Sequence, residues 1–555
     1  MDKHKEWPSL ISQVRRAANA AEQLSALRHC AALPMHHHQV LTEYHDVLLF
    51  TCAYAYSGEV YLLAKQELQR ISGILKGHLV SRRWQEKLTG SGLPYTTIHC
   101  QYSADLLDWL LETFPGKVVP FMAESSNEMI LQLCQAALPG VEFHDTTQGG
   151  LNTWNRIRSL SGHYRNAAAL KWLLQLFNQQ TWSPVLKDHL FDSLRIFVRW
   201  NILNDQYSRS WLRIPVQTYH YRGNEKKQVN SLSVIRKSVG QPLAINAAEK
   251  SDLVSAARVI LALYYRETDP VTYADPDETY LYDMGNGLQI LLTGMKKERR
   301  LSIESYVGFM AFINGIPASY GGGWMFGSRC KIGINIFPPF RGGASAQLFC
   351  QVMRLYFQVY HARCFVVKPY QFGKGNPEGL KSGAFWFYYK LGFRPVNPAI
   401  KKAADAEWKK ITADKKYRTP VNVLKSFTAC NKEWEPLRTP ILFFDADKVS
   451  MAITHMIRKR FAGNREKAII VCMQELVAFT AVKKSGHLSP HELKIWQNWS
   501  LLFAILPGTA AWNKLQRKLW LELLELKANG KEKDFVLALQ QHSAFWESLK
   551  ILIPG

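Results

Sequence analysis

The chain has 555 residues, more than a single hydrophobic core organises, so two to four domains are expected. A hydrophobic fraction of 47% with 21% charged residues excludes intrinsic disorder as the default state, and a formal net charge of +24 favours anionic partners. The excess is densest at the end of the chain, where residues 401–555 hold 26 basic against 15 acidic side chains.

Nine cysteines occur with no CxxC pair. That pattern argues against a disulfide framework and a zinc ribbon, and fits small buried hydrophobes in a reducing compartment. The start, MDKHKEWPSL, lacks the apolar region of a secretory signal. No run of 18 uncharged apolar residues stands out, so no transmembrane segment is expected. The cytoplasm is the expected location.

Residues 1–250 read as a mainly helical N-terminal region of one or two subdomains. Apolar residues recur at spacings of three and four in EYHDVLLFTCAYAY, SADLLDWLLETF and AAALKWLLQLF, and LKDHLFDSLRIFVRWNIL reads as a further helix. TGSGLPYTT (89–97) and TTQGGLNT (146–153) read as turns. His36, His37 and His38 form a run, but adjacent helical residues face different ways, so an exposed or capping cluster is favoured over a metal site.

The texture changes near residue 270, where DPVTYADPDE marks a boundary to a middle domain at 251–400. Four strand-like runs follow: LQILLTGM, SYVGFMAFIN, IPASYGGGWMF and CKIGINIF. Asn314-Gly315 joins the second and third as a two-residue hairpin, because both turn positions need positive φ. A helix from about Ser345 to Tyr360, a strand at CFVVKPY and a second helix from Gly379 to Leu391 complete the segment, with Gly392 as C-cap. Residues 401–555 return to a helical, basic C-terminal region, with one strand candidate at ILFFDA.

The turn after CKIGINIF reads Pro338-Pro339-Phe340-Arg341-Gly342-Gly343-Ala344-Ser345-Ala346. Small residues opening a helix expose backbone N–H groups, and with the helix dipole they suit a pyrophosphate. Arg341 adds positive charge beside them. A plain strand-to-helix turn also favours glycine, so the loop alone does not decide.

Taken in order, strand, hairpin, strand, strand, loop, helix, strand, helix and YYKLGF resemble the GNAT superfamily of N-acyltransferases over about residues 280–397. The family's pyrophosphate loop, R/Q-x-x-G-x-G/A after V-x-P-x-Y/F, is similar to Ile336-Phe337-Pro338-Pro339-Phe340-Arg341 followed by GGASA, with Ala344 where glycine is usual. The family's A-x-x-x-Y-x-x-x-G-F resembles Ala384 to Phe393, with Tyr388 four residues before Gly392. Asn376 resembles an asparagine that some members place near the cofactor, although turn formation is an equal reading.

The resemblance implies an α+β fold, a GNAT-like mixed sheet domain with mainly helical flanks. It implies acetyl-CoA or another acyl-CoA as co-substrate, bound by Ile336, Arg341, Gly342, Gly343, Ala344, Ser345, Ala346 and Asn376. The acyl group would pass directly to an amine acceptor in a ternary complex, with Tyr388 as the acid that meets the thiolate. The acceptor and the base are not legible, and Glu304, Glu378 and His361 are the nearby titratable groups. The basic charge also fits a donor such as acyl carrier protein or aminoacyl-tRNA, and a non-catalytic binding or scaffold role is the third reading.

Overall fold

The computed structural model describes residues 6–79, 81–123, 127–142, 153–204, 206–223, 229–342, 345–437, 443–480 and 488–553. The chain is α+β, with two sheets set among helices. Among the described residues no helix is long and apolar enough to cross a membrane.

The N-terminal region is mainly helical, as expected, but it also holds a three-stranded antiparallel sheet. Its strands are β1 (Thr97–Cys100), β2 (Val118–Ala123) and β3 (Ile196–Asn201), in the order β1-β3-β2. The run read as one helix through 186–203 therefore divides. The helix Pro184–Ser193 stops, Arg195 takes φ +47°, and the chain leaves as β3. The cause is local: Ile196, Val198 and Trp200 alternate with exposed or half-buried neighbours, a period of two that the helical spacing upstream obscures.

Eight strands form the central sheet: β4 (Ala274–Gly285), β5 (Leu288–Met295), β6 (Ser305–Ile313), β7 (Ile316–Phe326), β8 (Arg329–Ile336), β9 (Cys364–Val367), β10 (Arg394–Pro395) and β11 (Lys432–Trp434). The order is β10-β11-β9-β8-β7-β6-β5-β4, and among the described residues only β8 and β9 pair in parallel. One strand, β4, is not among the expected runs: it begins within DPVTYADPDE, after the turn of helix Asp269–Thr272. Two expectations need correction. In ILFFDA, residues 441–442 lie outside the described residues and Ala446 opens the helix Ala446–Phe461, while β11 supplies the C-terminal strand. The helix expected over 379–391 is two, Pro377–Lys381 and Ala384–Lys390, separated at Gly383 with φ +67°.

The helix Ser345–Val359 connects β8 to β9 and packs on the sheet against the glycine run of β7. A Cβ at Gly323 would stand 2.6 Å from the Tyr356 ring, so a larger residue there would push the helix off. Tyr356 fixes the depth, its hydroxyl donating to the Val307 carbonyl at 2.6 Å.

Both flanks are tied to this sheet. Asn314 and Gly315 form the β6–β7 turn with φ +49° and +78°, as the sequence requires. The buried Asn314 amide also donates to the carbonyls of Ala53 (2.9 Å) and His220 (2.8 Å), and its oxygen accepts from the His220 N–H (2.9 Å). Asn314→Ala is expected to lower stability by about 3 kcal/mol, at roughly 1 kcal/mol per lost bond. Urea unfolding checks this, and a change under about 0.5 kcal/mol would contradict the tie.

The C-terminal helices dock through a buried ionic cluster. Arg300 faces Glu278 (3.1 Å) and Glu532 (3.5 Å), and Lys527 faces Glu532 at 3.2 Å. Ser305 donates to Glu532, Lys527 to the Glu304 carbonyl (3.0 Å), and Arg300 to the Gly530 carbonyl (2.6 Å). Burial pushes the Glu278 carboxyl up to about 7, against the pull of Arg300.

Candidate active site

The site grows from the one parallel pair in the central sheet. β8 and β9 are in register at Arg329↔Cys364, Cys330↔Phe365 and Lys331↔Val366. Beyond Lys331 the pairing ends, although β8 continues to Ile336 and stays paired with β7 on its other side. β9 itself stops at Val367, where the chain turns into the 3₁₀ helix Pro369–Phe372, so the β9-facing backbone groups of β8 beyond Lys331 have no strand partner. Such groups need a partner, whether side chain, water or ligand. The Gln371 amide packs over Gly333 on one face of the sheet: a Cβ on Gly333 would lie 2.9 Å from Gln371 Nε2.

The small-residue loop follows at the open end of this split. Pro338–Phe340 form a turn of 3₁₀ helix, and Gly342 takes φ +90° with open space where a Cβ would stand. Gly343 and Ala344 lie outside the described residues. The Ser345 hydroxyl folds back on the Gly342 carbonyl at 3.0 Å, and Ala346 is half-buried in the first turn of the helix. Arg15 donates to the carbonyls of Pro339 (3.2 Å) and Arg341 (2.6 Å). Through Arg15 the N-terminal helix Trp7–Arg16 is tied to the loop.

Arg341 is exposed, donates through Nε to the Ile336 carbonyl (3.3 Å), and pairs with Glu378. The Arg341–Glu378 pair has both side chains more than half exposed, and such a pair contributes only about 0–1 kcal/mol. A phosphate, with more charge and more acceptor oxygens, can displace the carboxylate.

Asn376 caps the helix Pro377–Lys381, accepting from the Gly379 N–H (3.1 Å) and donating to the Tyr370 carbonyl (3.1 Å). These are the bonds of a turn-forming residue. They occupy one acceptor and one donor of an amide that offers more.

Tyr388 is 3% exposed, among Phe349, Phe387 and Phe393. Burial raises its pKa above the ordinary phenol value. Among the described residues its hydroxyl takes no hydrogen bond. Phe349 lies one turn after Ser345, so Tyr388 reaches the first turns of the helix that the loop opens. Tyr389 differs: its hydroxyl donates to Asp405, and Arg394 lies over its ring at 3.8 Å. Gly392, with φ +109°, ends the helix as expected.

No family model, curated protein or solved structure matches the chain.

Of the three titratable groups considered as base, only Glu378 comes to the loop. Glu304 precedes β6 and pairs with Lys331 at 2.6 Å, where β8 and β9 are still joined. His361 follows the far end of the helix Ser345–Val359, with φ +51°, and its pKa is lowered by burial and by Arg363 and Lys533. The sequence reading missed Arg15, Gln371 and Lys432. Lys432 is fully buried on β11, donates to the Phe385 carbonyl at 2.5 Å and lies 3.3 Å from the Phe385 ring centre. Burial drops its pKa well below the ordinary amine value, and its bond anchors the start of the helix that carries Tyr388. A lone lysine in a basic sequence gives no signal of such a role.

Proposed function

We propose that the chain is an N-acyltransferase that passes an acyl group from acetyl-CoA or another acyl-CoA to an amine acceptor by direct attack. The observation that carries this reading is the end of the β8–β9 pairing at Lys331, while β8 runs on to Ile336 directly ahead of the loop that opens the helix Ser345–Val359. A narrow extended chain such as pantetheine can enter the split once the Gln371 amide swings aside, and complete the ladder that β8 leaves unpaired. The loop N–H groups and Arg341 then meet the pyrophosphate.

A thioester held there has its carbonyl against backbone donors, which stabilise the oxyanion formed when an amine attacks. Holding thioester and amine together supplies the rest of the gain. The amine attacks as the free base, its N–H proton passes to solvent as the C–N bond forms, and the C–S bond breaks with the electron pair left on sulfur, so CoA leaves as the thiolate. Tyr388 donates a hydrogen bond to that sulfur. Its raised pKa makes it a poor source of a free proton but keeps the donor protonated.

Tyr388→Phe is expected to lower kcat on the order of 10²-fold, with CoA affinity and folding nearly unchanged. Tyr389→Phe removes the bond to Asp405 and should leave kcat within about twofold. Steady-state rates of both variants check this, and equal rates in both and wild type would make Tyr388 a packing residue. An intact-mass screen of acyl-CoAs against amine pools tests the activity itself.

One feature favours a second reading, a binding protein without turnover. Gln371 packs over Gly333 beside the split, and Tyr388 is enclosed by rings. Turnover separates the two readings: acyl-CoA binding without acyl transfer to any amine in the intact-mass screen favours the binding protein. Gln371→Ala tests the split itself, and should raise acyl-CoA affinity if the amide is a movable plug.

A further inference from the structure

A second, shallow and open cleft lies between the tip of the β4–β5 hairpin and the start of the helix Ser345–Val359. Leu288, Ile313 and Leu348 supply apolar wall, and Arg222, His220 and Gln347 supply polar groups. Arg222 comes from the N-terminal region, and its position is built. The preceding strap is fastened at His220 by the Asn314 amide, the Arg222 N–H donates to the Ala55 carbonyl at 2.8 Å, and its guanidinium lies over the Tyr56 ring at 5.2 Å.

Among the described residues no carboxylate lines the cleft, and Arg222 makes no ion pair. Asp283, the acid beside the hairpin tip, is turned into that tip, accepting from the Gly285 N–H at 2.8 Å. A fixed cation over an apolar wall suits a ligand with a flat or apolar body and an anionic group.

The cleft shares an end of the sheet with the split. Ile313 ends β6, Leu288 begins β5 opposite it, and Ile336 ends β8, which runs in the direction of β6. Three strand spacings separate β5 from β8, roughly 14 Å. The loop between Phe337 and Ser345 lies between the two places along the chain, and Gln347 is two residues into the helix it opens.

We infer that this cleft binds a phosphate monoester, with Arg222 as the residue that reads the phosphate. Two sources share this chemistry. If the acyl-CoA reading above holds, the monoester is the 3′-phosphate at the nucleotide end of the donor. Otherwise it belongs to a separate phosphorylated small molecule.

Calorimetry on the full chain with adenosine 3′,5′-bisphosphate, CoA and dephospho-CoA tests this, with Arg222→Ala beside wild type and Arg28→Ala as an exposed control. Wild type and the control should bind the bisphosphate, and Arg222→Ala should lose at least about tenfold, the effect of one good charged contact. A CoA preference over dephospho-CoA that disappears in Arg222→Ala assigns the cleft to the donor. Loss of bisphosphate binding with CoA affinity unchanged assigns it to a separate ligand. Bisphosphate binding without CoA binding would sink the acyl-CoA reading and keep the cleft. Equal bisphosphate affinity in Arg222→Ala and wild type, or no bisphosphate binding by wild type, overturns the inference.

Discussion

Gly342→Asp is expected to reduce CoA affinity on the order of 100-fold, about 2.7 kcal/mol, while the chain remains folded. Two causes act together. The residue sits at φ +90°, which a side chain adopts only with strain of about 1–2 kcal/mol. The space around its Cβ is empty, so the new carboxylate is not expelled by neighbours and stays beside the pyrophosphate. Gly342→Ala carries the strain without the charge and should lose less. Glu378→Gln should act in the opposite direction, because it frees Arg341 from its surface partner. Calorimetric titration of the three variants with CoA measures all of this. Unchanged affinity in Gly342→Asp would remove the loop from the binding site.

The largest effect on stability is expected at Lys527. Its ammonium is fully buried, with Glu532 at 3.2 Å and the Glu304 carbonyl at 3.0 Å. Lys527→Met removes a cation and leaves Glu532 with Arg300 and Ser305 alone. Breaking such a pair from one side costs about 3–5 kcal/mol, since the remaining charge stays out of water. Because the cluster joins residues 278–305 to residues 527–532, the C-terminal helices should loosen first. Arg28→Ala breaks a pair with Glu59 in which both side chains are over 60% exposed, and should change stability by less than about 1 kcal/mol. Urea unfolding followed by tryptophan fluorescence compares them. Equal and small changes would mean that burial does not sharpen the Lys527 pair.

Local chemistry made part of this molecule legible in its sequence. Asn314-Gly315 announced its turn because few residues accept positive φ, and Gly392 announced a helix end for the same reason. The helix Ser345–Val359 and the strands β5 to β9 followed from clear periodicity and from punctuation by glycine and proline. What stayed hidden depends on distant partners. β11 has three residues and forms by pairing with β9, some 65 positions earlier. β3 was masked by the helical spacing before it, and β4 by the Asp-rich stretch that it begins within. The Arg15 bonds to the loop span more than 320 positions, and no local pattern marks them. In the candidate site, the loop and Tyr388 were visible as motifs. Gln371 beside the split and Lys432 beneath the Tyr388 helix became visible only when the sheet brought them there.

Hydrogen exchange on the full chain, with and without saturating acetyl-CoA, tests the central claim most directly, because it reads backbone protection where β8 lacks a partner. The account predicts slower exchange at residues 332–346, with a second protected stretch at 368–391. Absence of any protection at millimolar acetyl-CoA, or protection confined to the helical flanks, would contradict it.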